Sequence, residues 1–502
     1  MSIADDLARA TPRAAWLPSM TSEVSQHVAA WWPGVWQLWW GRAAGASVVE
    51  GASRSRFDAL VRHAREHSPL LREHYRGLGP APRPDEVPVS DRRGLMERFD
   101  DWVTDRAVRR RDVDAFLADP SHIGARYLAR YVVWQSSGTT GENGIYVQDP
   151  LALEVYDALI AVQMSSGRLV PHCVAGMIKG GRAALVAATG DHFASIASWN
   201  RACRTMPGFA ARSYSITAPT AKLVAQLNAY GPAYLASYPT MLEILGRERS
   251  AGRLRVHPSL VWSGGESLVV SARTTLERLW GCPVVNEYGA SECMSIAFGC
   301  PEGWLHVNAD WVVVEPVDAN YQPVRAGDPS HTVLVTNLAN RVQPIIRYDL
   351  GDSVMMLPEP CRCDNPLPAI RVEGRRDDVL DFTAIDGSSV TMAPLALTSV
   401  VEDATHLRRF QIVQTQSNHL ALRLGIDDPA LRAQAFAVAR TALTDYLSAQ
   451  YVARITIELD TRVPEIDAVS GKLRQVIRGS AAETVRRSAA RTPRNRISRY
   501  SH

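Results

Sequence analysis

The hydrophobic and polar positions along the chain change periodicity several times, and each change predicts a different kind of element. Between residues 54 and 75 apolar residues recur at helical spacing, and Pro69 after Ser68 marks a break in a helical N-terminal region. Between residues 131 and 316 β-rich runs such as YVVW, AALVAA and SLVWSG alternate with helical stretches such as TAKLVAQLNAY. This alternation is typical of a parallel sheet flanked by helices, and it predicts an α/β fold.

Two further groups of elements follow this α/β region. The runs WVVVEPV, HTVLVTNL and PIIRYDLGDSVMML are separated by turn residues and predict a smaller, more antiparallel strand subdomain. Beyond it, strand-like and helical runs alternate again and suffice for a small α+β domain. We therefore predict an N-terminal domain over residues 1–376, a C-terminal domain over residues 377–480 and a disordered arginine-rich tail over residues 481–502.

Composition and charge narrow the function classes. The chain has 502 residues, of which 46% are hydrophobic, so it is long enough for two or three domains with real cores. Its net charge of only +3 does not provide the basic face that nucleic acid requires, and we expect small molecules as partners. The sequence leaves the oligomeric state open.

No membrane span or leader peptide is predicted. The tryptophan-rich stretch at residues 31–40 is broken by Pro33 and Gly34 and is shorter than the ~20 residues that a span needs, so it predicts a buried amphipathic segment. The first ten residues contain two aspartates and no basic-then-apolar run, which predicts a cytoplasmic protein.

A run of small, hydroxyl-bearing residues follows the strand YVVWQ. Its backbone N–H groups and hydroxyls are suited to phosphate oxygens, although the spacing is not that of a Walker A loop. By itself such a run is more often an ordinary turn. The run consists of Ser136, Ser137, Gly138, Thr139, Thr140 and Gly141.

This loop and five further ordered motifs carry a family resemblance: SGGE at 263–266, NEYGASE at 286–292, RYDLGD at 347–352, GRRD at 374–377 and SGK at 470–472. From about residue 54 to 480 the chain resembles the adenylate-forming superfamily of acyl-CoA synthetases, peptide synthetase adenylation domains and luciferases. Within it, the segment REHSPLLREHY and the layout are most similar to the phenylacetate-CoA ligase branch and related actinobacterial amide bond synthetases. The resemblance implies that ATP and Mg²⁺ activate a carboxylic acid as an acyl-adenylate.

The resemblance also assigns nucleotide-binding roles. Tyr288 and the Gly264–Gly265 turn are suited to adenine, Asp352 to the ribose diol, and Glu292 to Mg²⁺ as a hard oxygen ligand. Thr139, Thr140 and Lys472 would stabilise charge on the phosphates. The set of predicted nucleotide-binding residues outside the phosphate loop is Gly264, Gly265, Glu266, Tyr288, Gly289, Asp352 and Arg375.

Lys472 is the strongest catalytic candidate. It is one of only three lysines in an arginine-rich chain, and a compact ammonium on a flexible stem can reach between a carboxylate and a phosphate. In the family this lysine arrives with a mobile C-terminal domain and leaves for the second half-reaction, and Asp377 matches the hinge. One departure is that Glu142 follows TTG where the family commonly has a lysine.

The segment between the phosphate loop and the SGGE turn predicts the acid pocket. His192, Phe193, Trp199 and Tyr238, with the more distant Trp134, are suited to an aromatic or heteroaromatic acid, and plain core packing is equally open. Asp191 would hold and deprotonate an amine acceptor, unless it only caps a turn.

These residues favour amide formation narrowly over transfer to coenzyme A. A non-catalytic adenylate-binding protein is a third reading, which the presence of Lys472, Glu292 and Asp352 disfavours.

Cys300, His306, Cys361 and Cys363 form a second candidate site. They offer four ligands of the kind that a structural Zn²⁺ takes, and some phenylacetate-ligase relatives look similar here. The C-x-C spacing is tighter than the usual C-x2-C, so ordinary buried thiols remain the alternative.

Overall fold

The structure is a computed structural model that describes residues 34–136, 144–205, 210–266, 268, 270–372, 380–407, 409–465 and 474–479. The predicted tail over residues 481–502 therefore lies outside the described residues. No helix among the described residues combines the length and the apolar character that crossing a lipid bilayer requires.

The N-terminal part is helical, as the apolar spacing predicts. Two helices meet at Ser68, whose Oγ accepts a hydrogen bond from Leu71 N at 3.2 Å and so caps the second helix, which begins at Pro69. The helices of this part are α1 (Ala46–His67), α2 (Pro69–His74), α3 (Arg92–Glu97), α4 (Phe99–Trp102) and α5 (Arg110–Leu117).

The described part of the tryptophan-rich stretch is amphipathic, as expected, but its tryptophans are not buried. Residues 34–43 are helical, and their buried face is formed by Val35 and Leu38. Trp36, Trp39 and Trp40 lie on the other side and are about half exposed. Helical periodicity places residues three apart on one face, and here the smaller apolar residues occupy the face that meets the core.

The central element is a nine-stranded sheet with the order β14-β15-β10-β9-β8-β7-β6-β4-β5. Strands β4 to β8 pair in parallel, while β8, β9, β10, β15 and β14 pair antiparallel, so the sheet is mixed. Its strands are β4 (Ala183–Ala187), β5 (Ala211–Ser215), β6 (Tyr234–Ser237), β7 (Leu260–Ser263), β8 (Val284–Tyr288), β9 (Ala297–Gly299), β10 (Leu305–Val307), β14 (Val354–Met356) and β15 (Ala369–Val372).

Helices connect the parallel strands, which confirms the predicted α/β class. The helical run TAKLVAQLNAY forms a helix over the predicted residues. The helices of this region are α6 (Pro150–Met164), α7 (Val170–Ile178), α8 (Ala194–Thr205), α9 (Thr220–Tyr230), α10 (Pro239–Ser250) and α11 (Val270–Trp280).

Two small antiparallel sheets accompany the large one. The run YVVW does not join the parallel sheet but forms the middle strand of a three-stranded sheet, because it pairs with its sequence neighbours on both sides. The strand subdomain is also divided, since β14 extends the large sheet and the other strands form a separate sheet. The two small sheets contain β1 (Arg126–Tyr127), β2 (Tyr131–Gln135) and β3 (Ile145–Gln148), and β11 (Val312–Val317), β12 (Thr332–Asn337) and β13 (Tyr348–Asp349).

A small α+β domain ends the described chain. A hairpin precedes a four-stranded sheet with the order β20-β19-β18-β21, and two helices pack with these strands. Its elements are β16 (Leu380–Thr383), β17 (Ser389–Met392), α12 (Pro394–Thr405), β18 (Phe410–Gln416), β19 (His419–Leu424), α13 (Pro429–Ala449), β20 (Thr456–Asp460) and β21 (Val476–Arg478).

Candidate functional site

The SGGE and NEYGASE motifs lie at the carboxyl edge of the parallel strands. Ser237 at the end of β6 pairs with Ser263 at the end of β7, and Ser263 pairs with Asn286 near the end of β8. The turns that follow these three strands therefore emerge side by side. This edge is where open α/β sheets bind their ligands.

The SGGE turn is fixed by steric fit and by a carboxylate. Gly265 has a φ of +78°, and a Cβ there would lie 2.8 Å from Cε1 of Tyr238, so the turn requires glycine. Glu266 accepts hydrogen bonds from the backbone N–H of Thr240 at 3.1 Å and from its hydroxyl at 3.0 Å. The described contacts of Glu266 thus anchor the turn to the first residues of α10.

The NEYGASE loop folds back on itself at Gly289. A Cβ on Gly289 would lie 1.8 Å from the carbonyl oxygen of Met294, which only glycine permits. The Tyr288 hydroxyl donates a hydrogen bond to Asp352 Oδ2 at 2.8 Å. The structure therefore brings together the residue predicted to contact adenine and the residue predicted to bind ribose, 64 positions apart in the chain.

Glu292 lies at the centre of a buried polar network. Its Oε1 accepts hydrogen bonds from the hydroxyls of Tyr146 at 2.6 Å and Tyr348 at 2.9 Å, and Arg92 NH2 lies 3.5 Å away. Burial and the Glu292 carboxylate raise the pKa of Tyr146 well above its ordinary value, so the hydroxyl remains a donor. Oε2 has no hydrogen-bond partner among the described residues, which fits a carboxylate that offers this oxygen to a cation.

A second carboxylate lies at the end of β8. Glu287 accepts hydrogen bonds from Ser295 Oγ at 2.8 Å and from Trp262 Nε1 at 2.8 Å. Burial raises the pKa of Glu287 to about 7, against the opposing effect of the two hydrogen bonds.

The described residues include only the base of the phosphate loop. Ser136 is buried, its Oγ accepts a hydrogen bond from Gly144 N at 3.0 Å, and its own N–H donates to Gly144 O at 2.9 Å. The two ends of the loop are thus joined. Eight predicted site residues lie outside the described residues: Ser137, Gly138, Thr139, Thr140, Gly141, Arg375, Asp377 and Lys472.

Of the predicted acid pocket, Tyr238 and Phe193 lie near the turns described above. Tyr238 is buried, and its hydroxyl accepts a hydrogen bond from Ala188 N at 3.3 Å. Phe193 forms a parallel bridge with Gln135, beside the phosphate loop, while Trp199 is partly buried against the core from α8. Trp134 is fully buried and donates through Nε1 to the carbonyl oxygen of Ser291 at 2.8 Å.

His192 points into the interior. Its side chain is 1% exposed, lies 6.0 Å from the Phe116 ring, and has Nε2 3.2 Å from the Asp119 carbonyl oxygen. Burial lowers the pKa of His192. These contacts are those of a neutral packing residue.

Asp191 lies where the large region meets the small domain. Its Oδ1 accepts a hydrogen bond from the His192 backbone N–H at 2.7 Å. A Cβ on the preceding Gly190 would lie 3.2 Å from Oδ2 of Asp403, which belongs to α12. A second carboxylate, from a distant part of the chain, therefore approaches the loop that carries Asp191.

The cysteine and histidine candidates come together. The ligand atoms of all four lie within 4.8 Å of one another. Cys300 Sγ lies 3.7 Å from Cys361 Sγ, which matches the edge of about 3.8 Å in a tetrahedron with Zn–S bonds of about 2.3 Å. His306 Nδ1 is 2.8 Å from the Leu367 carbonyl oxygen, which leaves Nε2, 3.1 Å from Cys363 Sγ, to face the cluster.

Three site residues were missed by the sequence prediction: Arg92, Tyr146 and Tyr348. Tyr348 belongs to the RYDLGD motif and could have been selected by its position there. Arg92 and Tyr146 reach Glu292 from distant segments, and no motif marks them.

Comparisons with known sequences assign no family to this chain. No protein-family model matches the sequence. Protein CapK of Staphylococcus aureus is 25% identical over 170 residues, which are 31% of this chain, and the chain spans only 34% of that relative's length.

The full fold has counterparts among solved structures. The 2-hydroxyisobutyryl-CoA ligase with 2-HIB-AMP and CoA in the thioesterification state has a TM-score of 0.56 and 20% identity, with 95% of this chain and 97% of that chain covered. The same ligase in the postadenylation state with 2-HIB-AMP has a TM-score of 0.53, 19% identity and the same coverage. This chain therefore has the α/β fold of acyl-CoA ligases, with a large mixed sheet flanked by helices and a small C-terminal α+β domain.

Proposed function

We propose that this protein uses ATP to convert a carboxylic acid into an acyl-adenylate and then transfers the acyl group to coenzyme A. The observation that carries this proposal is the convergence of Tyr288, Asp352 and Glu292 at the carboxyl edge of the sheet. Carboxylates in these positions are suited to a ribose diol and to a phosphate-bound cation. A free carboxylate is a poor acyl donor because it has no good leaving group. In the acyl-adenylate, AMP is the leaving group.

Each role follows from the chemistry of the residue. Asp352 would accept hydrogen bonds from the ribose, oriented by Tyr288, and Glu292 would hold Mg²⁺ through Oε2. Bound Mg²⁺ would neutralise charge on the phosphates. Arg92 lies beside Glu292 and supplies positive charge near a phosphate loop in which Glu142 follows TTG. We assign Lys472 to the adenylation step, carried by a C-terminal domain that begins at a hinge near Asp377.

The role of Lys472 is tested by separating the two half-reactions. Lys472→Ala should abolish pyrophosphate release with every acid, because the cation that stabilises the reacting carboxylate and α-phosphate is lost. Transfer from a supplied acyl-AMP should keep its wild-type rate. Lys222→Ala is the control, because Lys222 lies on α9 and belongs to none of the motifs. Equal loss of both steps in Lys472→Ala would contradict the assignment.

Coenzyme A is the acceptor that the comparisons favour, since the solved ligase binds both an acyl-adenylate and CoA. An amine is the second candidate, and it is supported by the approach of Asp403 to the loop that carries Asp191. Two carboxylates on neighbouring segments could hold an ammonium group and accept its proton. Phe193 and Tyr238 suit a flat aromatic or heteroaromatic acid.

The acceptor is decided by a screen of aromatic and aliphatic acids against CoA and a panel of amines, with products identified by mass spectrometry. A thioester with CoA and no amide is the expected result. Amide formation that Asp191→Asn reduces more than pyrophosphate release would establish the second candidate instead.

We also propose that Cys300, His306, Cys361 and Cys363 hold a structural Zn²⁺. Three thiolates and an imidazole within 4.8 Å of one another form a complete tetrahedral ligand set, and the cluster joins β10 to the residue after β9 and to the connection between β14 and β15. No open coordination position remains, so the metal would stabilise the fold and take no part in adenylation.

Elemental analysis should find one Zn²⁺ per chain, and Cys363→Ser should lower both the zinc content and the melting temperature. Cys203→Ser is the matched control, because Cys203 lies on α8 outside the cluster. Replacement by Co²⁺ should give the visible absorption of a tetrahedral thiolate site. A protein that remains metal-free after reconstitution, with an unchanged melting temperature in Cys363→Ser, would refute the site.

A further inference from the structure

A buried polar row crosses the sheet of the C-terminal domain. Gln411 on β18 pairs with Arg423 on β19, and Arg423 pairs in turn with Asp460 on β20. Gln411 is 0% exposed and Arg423 is 2% exposed. Arg423 Nε donates to Asp460 Oδ2 at 3.0 Å, and its NH1 donates to Gln411 Oε1 at 3.1 Å. The row therefore orients the Gln411 amide.

The Gln411 amide joins the two chain ends that flank residues 466–473. Its Nε2 donates to the carbonyl oxygens of Glu465 at 2.8 Å and of Arg474 at 2.9 Å. Its Oε1 accepts from the backbone N–H of Glu465 at 2.8 Å in addition to the bond from Arg423. One side chain thus holds both ends of the segment that contains Lys472.

Only an amide satisfies this arrangement. The side chain uses two donor hydrogens and two acceptor lone pairs, which is the full capacity of a glutamine. The reversed orientation would place Oε1 against two carbonyl oxygens and the NH2 group against a guanidinium. A carboxylate of the same size could keep the two acceptor contacts but could not donate to Glu465 O and Arg474 O.

We propose that Gln411, oriented by Arg423, is a positioning residue for the adenylation step, because it fixes both ends of segment 466–473 and so limits where Lys472 can reach. This inference rests on the proposed role of Lys472. Fixing the ends of a short segment reduces the number of conformations between them, and a displacement of about 1 Å can slow a reaction about 100-fold.

The test compares two buried glutamines of the same strand. Gln411→Leu should reduce the kcat of pyrophosphate release by about 100-fold, with little change in the KM for ATP or acid and with normal transfer from supplied acyl-AMP. Gln414→Leu is the matched control: Gln414 is also buried, and its Nε2 donates to the carbonyl oxygens of Asp381 at 2.7 Å and Ser417 at 2.8 Å, neither of which flanks segment 466–473. Equal kcat losses in the two variants would overturn the proposal.

A second comparison separates this inference from the function on which it rests. Lys472→Ala should abolish adenylation whereas Gln411→Leu should only slow it, because Gln411 acts through the position of the lysine. If Lys472→Ala leaves adenylation unchanged, the proposed role of Lys472 fails. If Lys472→Ala abolishes adenylation and Gln411→Leu does not slow it, only the positioning role fails.

A variant of conserved size covers the case in which Gln411→Leu does not fold. Gln411→Glu keeps the shape and the acceptor contacts and should still lose adenylation selectively. Hydrogen exchange of the backbone amides in residues 465–474 should become faster in Gln411→Glu and remain unchanged in Gln414→Leu. Unchanged hydrogen exchange and unchanged kcat in Gln411→Glu would refute the positioning role of Gln411.

Discussion

At the residue scale, the site depends on which carboxylates carry a charge. Glu292 and Glu287 belong to the same loop but have different surroundings: Glu292 contacts Arg92, whereas Glu287 accepts hydrogen bonds only from the neutral groups of Trp262 and Ser295 among the described residues. The pKa of Glu287 is consequently raised to about 7 by burial. Glu287 therefore differs from an exposed glutamate, because it keeps its proton up to about neutral pH.

This difference predicts a pH dependence of stability. Between pH 4.5, the ordinary pKa, and about 7, native Glu287 keeps a proton that the unfolded chain releases. Its stabilising contribution is therefore fully present below pH 4.5 and is lost as the pH rises through 7, by up to about 3 kcal/mol. The melting-temperature difference between wild type and Glu287→Gln should shift in favour of the variant as the pH rises from 5 to 8. A difference that does not change with pH would contradict this explanation.

The sequence identified the carboxylates of the site but not all of the residues that surround Glu292. Glu292 and Asp352 could be predicted because they stand in motifs whose chemistry requires a carboxylate. Arg92 and Tyr146 could not, since their contacts with Glu292 arise from the packing of α3 and β3 against the NEYGASE loop. No local pattern in the sequence indicates that these residues, far apart in the chain, come into contact.

At the element scale, the turns after the parallel strands depend on glycine for different reasons. A Cβ on Gly289 would meet the Met294 carbonyl oxygen at 1.8 Å, whereas the nearest atom to a Cβ on Gly264 is the Glu287 carbonyl oxygen at 3.6 Å. The first glycine is required by the backbone itself. The second has room for a methyl group and would be required only by a bound ligand.

Alanine substitutions should separate these two reasons. Gly289→Ala should destabilise the protein by about 4 kcal/mol or more, because backbone must move to relieve the clash. Gly264→Ala should change the free energy of unfolding by less than about 1 kcal/mol but raise the KM for ATP, if adenine packs on this turn. Thermal unfolding and ATP titration of pyrophosphate release measure the two effects. A Gly264→Ala enzyme with wild-type KM would remove this turn from the nucleotide site.

The strands themselves were predicted more accurately than their partners. The run FQIVQTQ, which lies within the predicted C-terminal domain, forms β18, because a short run rich in β-branched residues marks a strand locally. The same information placed YVVW in the wrong sheet. Strand pairing is decided by contacts between distant segments, and β2 pairs with its neighbours β1 and β3 instead of with β4.

At the scale of the whole molecule, the small domain contacts the large region through a specific pair of hydrogen bonds. Gln450 is buried at the end of α13, its Oε1 accepts from Thr220 N at 2.9 Å, and its Nε2 donates to the Ala218 carbonyl oxygen at 3.2 Å. Thr220 is the first residue of α9, and Ala218 lies two residues before it. If the domain rotates between two half-reactions, this contact exists in one arrangement and must break to reach the other.

We predict that Gln450→Ala changes the two half-reactions in opposite directions. Two lost hydrogen bonds of about 1 kcal/mol each allow at most about a 30-fold shift in the population of the two arrangements. Pyrophosphate release and acyl transfer from supplied acyl-AMP should therefore diverge, while Gln450→Glu, which keeps the acceptor for Thr220 N, should lie between the variant and wild type. Because the substitution removes no group from the nucleotide site, opposite changes would arise from domain rotation. Parallel loss of both rates would show instead that the contact only stabilises the fold, and the proposed rotation would then need a different interface.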